Sequence, residues 1–174
     1  MSLISEKRDV QSRVIDYLRS IGWELLPADD AFKLRSHDIK EPFLTPIVKE
    51  KLTQLNKRII TDKNVDDVIR RIKLLPANLR GNEEFLIYLR NQKTVYVEEE
   101  KRERNIRLID YENPENNHFA ITEYFWFEDR DRRQADIILF INGFPIGIIE
   151  NKSPTIEEPE EAAFGQIKLY TDRI

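Results

Sequence analysis

The chain has no cysteine. That absence excludes disulfides, thiolate nucleophiles and thiolate metal sites, so any metal must be held by oxygen or imidazole. Histidine is scarce too: His37 and His118 are the whole set, and neither has a partner at ligand spacing. No apolar run approaches the roughly 18 residues of a membrane span. The most apolar stretch is broken at Asn142-Gly143, and the N-terminal MSLISEKRDV lacks the apolar core of a signal peptide. There is no excess of positive charge: the net charge is −4, which argues against a uniformly basic coat but leaves room for a local basic groove. A G-x-x-x-x-G-K-[ST] phosphate loop is absent from the sequence, as are internal repeats and low-complexity tracts. A cytoplasmic protein without a membrane partner is the simplest reading.

What is present describes a folded domain. With 174 residues, 40% hydrophobic and 34% charged, the chain is long enough to bury a core as a single domain over 1–174. Periodicity predicts a first helix over Glu6–Ile21, with Ser5 as N-cap, Val10, Val14, Tyr17, Leu18 and Ile21 as its apolar face, and Gly22 as its stop. Residues 38–92 read as a charged helical insertion. It contains an amphipathic stretch from Phe43 to Leu55 with Pro46 in its first turn, a helix capped by Asn64, and a third capped by Asn82. From 94 to 174 the period becomes that of strands. Thr94–Val97, Ile106–Tyr111 and Phe119–Glu128 read as extended, with Tyr124, Phe125 and Trp126 as sheet core. Asn113–Asn117 reads as a turn, and Glu157–Arg173 as a closing helix. The fold class is α/β: a mixed sheet flanked by helices, with the helical insertion between the first helix and the sheet.

The chemistry concentrates in Ala135–Lys152, ADIILFINGFPIGIIENK, two apolar strands joined at Asn142-Gly143. Asp136 opens the first, while Glu150 and Lys152 close the second. Charges at the ends of a buried hairpin are costly unless they pair or hold a metal. Two carboxylates suit Mg²⁺, and a lysine beside them can position a water. Register decides whether they meet. A strict two-residue loop pairs Asp136 with Ile149 and turns Glu150 to the opposite face. A three-residue loop, or a bulge elsewhere in the hairpin, puts Asp136, Glu150 and Lys152 on one face, the acids roughly 7 Å apart at the backbone. A metal centre here therefore requires an odd loop or a bulge. A clean two-residue hairpin without one would count heavily against it.

Asp136 followed fourteen residues later by Glu150-Asn151-Lys152 resembles the PD-(D/E)XK nuclease motif, with Ala135 in place of its proline. Gln166 and Tyr170, four apart on the closing helix, resemble the Q-x-x-x-Y motif of a subset of those nucleases. More of the chain is similar to the N-terminal nuclease region of the restriction (R) subunit of type I restriction-modification enzymes. The similarity lies in Glu100–Ile106, Leu108-Ile109-Asp110, Asn113–Asn117, Ile141–Pro145 and Glu150–Pro154. It covers most of the sequence and is strongest from Val97 to Tyr170.

The resemblance implies a restriction-endonuclease-like core, with 94–174 carrying the catalytic part. It implies Mg²⁺ held by Asp136, Glu150 and the backbone carbonyl of Asn151, with Lys152 acting on the attacking water. Gln166 and Tyr170 would support the site or touch DNA, and Glu6 of the first helix, or Gln11 in its stead, would join it. The activity implied is endonucleolytic hydrolysis of double-stranded DNA by a type I site-specific deoxyribonuclease, working with methylation and specificity subunits. Its ATP-hydrolysing motor would lie outside these residues, so the sequence reads as the N-terminal fragment of a longer subunit. Two other readings compete: a DNA-repair or recombination nuclease of the same fold, and a non-catalytic module that docks to a partner subunit.

Overall fold

The computed structural model describes residues 3–128, 132–152 and 159–171, without the side chains of 3–8, 159, 162, 166 and 169–171. The chain divides into two compact units. The first comprises 1–43, 119–140 and 145–174; the second comprises 44–118 and 141–144.

The first unit is a mixed sheet with helices on both faces. Helix α1 (Leu3–Ser20) begins before the expected Ser5 cap and ends where predicted, just before Gly22 at φ +98°. Its buried stripe is Ile15 and Leu18, packed with Ile121 and Ile137 of the sheet, while Val14, Trp23, Leu25, Leu139 and Ile149 close around them. Tyr17 and Ile21, assigned to that stripe from the sequence, are exposed. Strand β1 (Glu24–Leu25) runs parallel to β4 (Phe119–Glu128). Strands β5 (Arg132–Ile141) and β6 (Phe144–Ile149) complete the order β1-β4-β5-β6.

Helix α2 (Ala28–Leu34) had no counterpart in the sequence reading. Its residues Ala31 and Phe32 border the same cavity as Thr122. Thr122 neighbours Ile121, which faces α1, so strand alternation puts α2 on the opposite face. Arg35, just past α2, is 2% exposed. Its guanidinium donates to the carbonyls of Glu41 (2.6 Å), Trp126 (2.7 Å) and Ile39 (2.7 Å), and lies 3.8 Å from the Phe125 ring centroid. Burial lowers its pKa to about 10, which still leaves it charged at neutral pH. Tyr124 has φ +53°, an unusual setting for an aromatic residue within a strand. Phe125 is buried as expected, but Tyr124 and Trp126 are each 40% exposed, so only one of the three belongs to the core. The left-handed residue breaks the alternation that would have buried them.

The second unit is built from helices and a small hairpin. Helix α3 (Thr45–Leu55) has Pro46 in its first turn, where its missing N–H costs nothing. In α4 (Val65–Lys73), Asn64 occupies the N-cap position, but its side chain turns back to Thr61 N and Ile59 O. Helix α5 (Leu79–Leu89) is capped by Asn78, whose side chain accepts from Gly81 N. Asn82, the expected cap, lies inside the helix. Strands β2 (Thr94–Val97) and β3 (Arg102–Asn105) pair antiparallel.

Residues 106–110 correct the sequence reading. Expected as part of a strand, they join none; β3 stops at Asn105, and the chain bends at Leu108 and Ile109. Their peptide groups are satisfied by asparagine side chains, whose amides carry a donor and an acceptor as a backbone peptide does. Asn56 accepts from Arg107 N (2.6 Å) and donates to Arg107 O (2.8 Å). Asn91 accepts from Leu108 N and donates to Ile109 O. Asn117 accepts from Asp110 N and donates to Asp110 O, both at 2.8 Å. Asn142 donates to Leu108 O at 2.7 Å. Ile106 and Leu108 are thereby buried to 0% and 1% exposure without leaving polar backbone unpaired.

Asp110 closes this ladder. Its carboxylate accepts from the Asn116 side chain and from the N–H groups of Asn113 and Glu112. Those bonds, the Asn116 one foremost, hold its pKa below the ordinary 3.8. A lowered folded-state pKa stabilises the fold above the unfolded value, and the contribution is lost as pH falls through the folded one. An NMR titration of the Asp110 carboxyl should give a midpoint below 3.8, and Asn116→Ala should move it upward. A midpoint at or above that value would contradict the geometry.

Candidate active site

The Ala135–Lys152 hairpin turns on two residues. Asn142 (φ +53°) and Gly143 (φ +81°) both lie in the left-handed region, the signature of a tight type I′ turn. Glycine is needed at 143 for a second reason: a Cβ there would sit 2.8 Å from Val48 Cγ2 and 2.9 Å from Leu44 O. The three-residue loop is therefore ruled out, which leaves the bulge.

Packing supplies it. Starting from Ile141 opposite Phe144, unbroken alternation would turn Ile149 away from Ile137 and Leu139. Instead Ile149 packs into the α1-facing cluster with both. A Cβ built on Gly147 would lie 3.7 Å from Leu139 Cδ1, so Gly147 shares that face. Strict alternation therefore does not hold through the whole hairpin. Asp136, next to Ile137, points to the α2 side. Glu150 follows Ile149 just past the end of β6.

Asp136 is buried, at 7% exposure. Its Oδ2 accepts a 2.8 Å hydrogen bond from the backbone N–H of Asn151. That bond ties the Glu150-Asn151-Lys152 segment, just past β6, to β5. Asn151 is itself buried at 4% exposure. Glu150 and Lys152 are half-buried, with Glu150 Oε2 shielded from solvent. Among the described residues no three His, Cys, Asp or Glu side chains form a metal-sized cluster.

The remaining candidates stand apart from this group or outside the described side chains. Gln11 is buried and donates to Glu123 Oε2 at 2.9 Å. Glu123 follows Ile121 by two residues and so faces α1, across the sheet from Asp136. Glu6 lies on α1, and Gln166 and Tyr170 lie four apart on α6 (Pro159–Thr171); the side chains of all three are outside the described set. Arg102 and Arg104 both pair with Glu100. Arg132 lies over the Trp126 ring at 4.5 Å, and Arg130 is outside the described residues. The sequence reading did not find Arg35 or the side chains that tie Asn142 to Asn117. The Asn-rich segments 113–117 and 141–145 were the only signal, and they are separate in sequence.

The family model described as the type I restriction enzyme R protein N terminus matches residues 4–174. The chain belongs to this R-protein N-terminal family. Two relatives illustrate it. A Methanocaldococcus jannaschii protein, provisionally named the type I restriction enzyme MjaVIIIP endonuclease subunit, is 30% identical over 92% of this chain and 16% of its own length. The type I restriction enzyme HindI endonuclease subunit of Haemophilus influenzae is 27% identical over 97% of this chain and 17% of its own. The R-protein region described here thus spans about a sixth of the curated relatives it matches. No described helix is long and apolar enough to cross a membrane.

Proposed function

We propose that this region is the Mg²⁺-dependent DNA-cleaving centre of a type I restriction R subunit. In this reading its core is restriction-endonuclease-like and hydrolyses phosphodiester bonds of double-stranded DNA. It works in an ATP-dependent assembly whose methylation and specificity subunits choose the site. The hydrogen bond from Asn151 N to Asp136 Oδ2 carries the reading, because it anchors the E-x-K segment beside the aspartate.

The donor set fits the cation. Mg²⁺ takes one or two carboxylates and keeps waters and phosphate oxygens for its other positions, and Asp136, Glu150 and the Asn151 carbonyl supply that kind of set. When bound, Mg²⁺ stabilises charge developing on the phosphate and lowers the pKa of a water. Asp136 is held in orientation by the Asn151 N–H. Lys152 positions the attacking water and places positive charge next to the scissile phosphate. Gln166 and Tyr170 support the site from α6, and Glu6 is the candidate for a further acid from α1. Family membership favours this reading over a repair nuclease of the same fold.

Calorimetric titration of the 174-residue chain with Mn²⁺ should show one site, and Asp136→Asn or Glu150→Gln should each weaken it about tenfold or more, the equivalent of roughly 1.4 kcal/mol. Binding unchanged by both substitutions would overturn the metal assignment.

A further inference from the structure

On the α2 side of the sheet, the side to which Asp136 points, lies a cavity of about 270 Å³. Phe32, Arg35, Thr122, Tyr124, Trp126 and Arg132 are among its lining. Its floor is polar in an unusual way. Thr122 is 1% exposed, yet its hydroxyl oxygen has no hydrogen-bond partner. A buried hydroxyl without a partner costs free energy that a ligand atom would recover. Arg35 adds a buried guanidinium that donates to the carbonyls of Glu41, Trp126 and Ile39, with the Glu41 and Asp38 carboxylates acting on its charge. The walls are aromatic: Tyr124 and Trp126 keep 40% of their surface exposed. At the rim, the Arg132 guanidinium lies 4.5 Å from the Trp126 ring centroid.

Each feature restricts the occupant. The volume admits one flat ring system and is too small for a peptide segment or a stacked dinucleotide. Aromatic walls favour a π-face. The unpartnered Thr122 hydroxyl suits a donor or acceptor on the ring edge, and Asp29 and Glu123 also line the cavity. Arg132 at the mouth suits a phosphate attached to that ring.

We infer that the cavity between α2 and β4 receives a single unstacked nucleobase of a DNA strand, stacked on Tyr124 and Trp126, bonded to Thr122, with its phosphate at Arg132. The inference rests on the DNA-cleaving reading above and adds a preference for strands whose bases are not stacked in a duplex. β4 adjoins β5, so the base pocket and the candidate metal centre share one face on neighbouring strands. A strand that reaches Asp136 with an unpaired base has a place to be held.

Trp126 supplies its own reporter. In a Trp23→Phe background it is the remaining tryptophan, since the chain has two. The titration is run in EDTA, so it does not depend on whether Asp136 and Glu150 hold a cation. Oligothymidylate should quench the emission at about tenfold lower concentration than a blunt duplex of equal length, and inorganic phosphate should not quench at all. By tryptophan-independent anisotropy of the labelled oligomer, Thr122→Val should weaken binding about three- to tenfold. Trp126→Ala should weaken it about tenfold or more, and Trp126→Phe should restore most of the loss. Circular dichroism of each variant identifies any that misfolds, and the Phe variant keeps the test decisive if the Ala variant does. Equal quenching by single strand and duplex, quenching by phosphate, or no quenching by oligothymidylate would overturn the base pocket while leaving the Mn²⁺ result untouched. Loss of Mn²⁺ binding with quenching intact would do the reverse.

Discussion

Asp136→Asn should reduce Mg²⁺-dependent DNA cleavage by about 10²–10³-fold in a full-length R subunit carrying this region, a loss typical of removing one transition-state electrostatic contact. ATP hydrolysis in the same preparation should be unchanged. The asparagine matters for interpretation. Its side-chain oxygen can still accept the Asn151 N–H that Asp136 Oδ2 accepts at 2.8 Å, so the hairpin keeps its tie while the charge is lost. Asp136→Ala removes both and leaves a buried N–H without an acceptor, an added destabilisation of about 1–3 kcal/mol. The pair therefore separates chemistry from folding. Both variants should lose cleavage, but the alanine variant alone should show a lowered unfolding midpoint. Cleavage within a few-fold of wild type in Asp136→Asn would remove this residue from the centre.

Asn142→Ala should destabilise the second unit by about 3–5 kcal/mol. Asn142 is 0% exposed. Its backbone N–H donates to His118 O, and its side-chain oxygen accepts from His118 N, both at 2.8 Å. Its side-chain nitrogen donates to Leu108 O and to Asn117 Oδ1. Truncation leaves three buried partner groups without their bond and opens a void. It also places a Cβ-only side chain at φ +53°, which asparagine tolerates better. Asn142→Gly relieves the backbone but not the polar groups, so it should recover only a small part of the loss. Urea unfolding with an unchanged slope would measure the difference. A loss under 1 kcal/mol would show that the amide network is incidental.

Asp136 lies within β5 and Asn142 in the turn that follows it, and they were legible to different degrees. Asp136 stood out because a charged residue amid Ile, Leu and Phe is costly, and its spacing to Glu150 and Lys152 is local. The role of Asn142 was half visible: Asn-Gly announced a tight turn, but the side chain's partners at 108, 117 and 118 are remote in sequence. The same divide runs through the fold. Helices α3 and α4 and strands β2 and β4 follow periodicity, since each side chain's face is set by its own backbone. Residues 106–110 have the composition of a strand, yet asparagine side chains took the place of a neighbouring strand, and composition cannot report which partner will arrive. Asn78 displaced Asn82 as a helix cap through its own contact with Gly81. The outward turn of Tyr124 and Trp126 rests on a single positive φ.

By itself, then, the sequence determined the absence of thiol chemistry, the alternation of helix and strand, and the acid-acid-lysine set at the ends of one hairpin. Local rules suffice for these, because they depend on residue type and short spacing. Only the tertiary structure decided that the turn has two left-handed residues and that Ile149 nonetheless packs with Ile137 and Leu139. Only it showed that Asn151 N, fifteen residues away, completes the aspartate's bonding. Register is a property of two strands and the helix packed on them, and the α1 cluster claims Ile137 and Ile149 together.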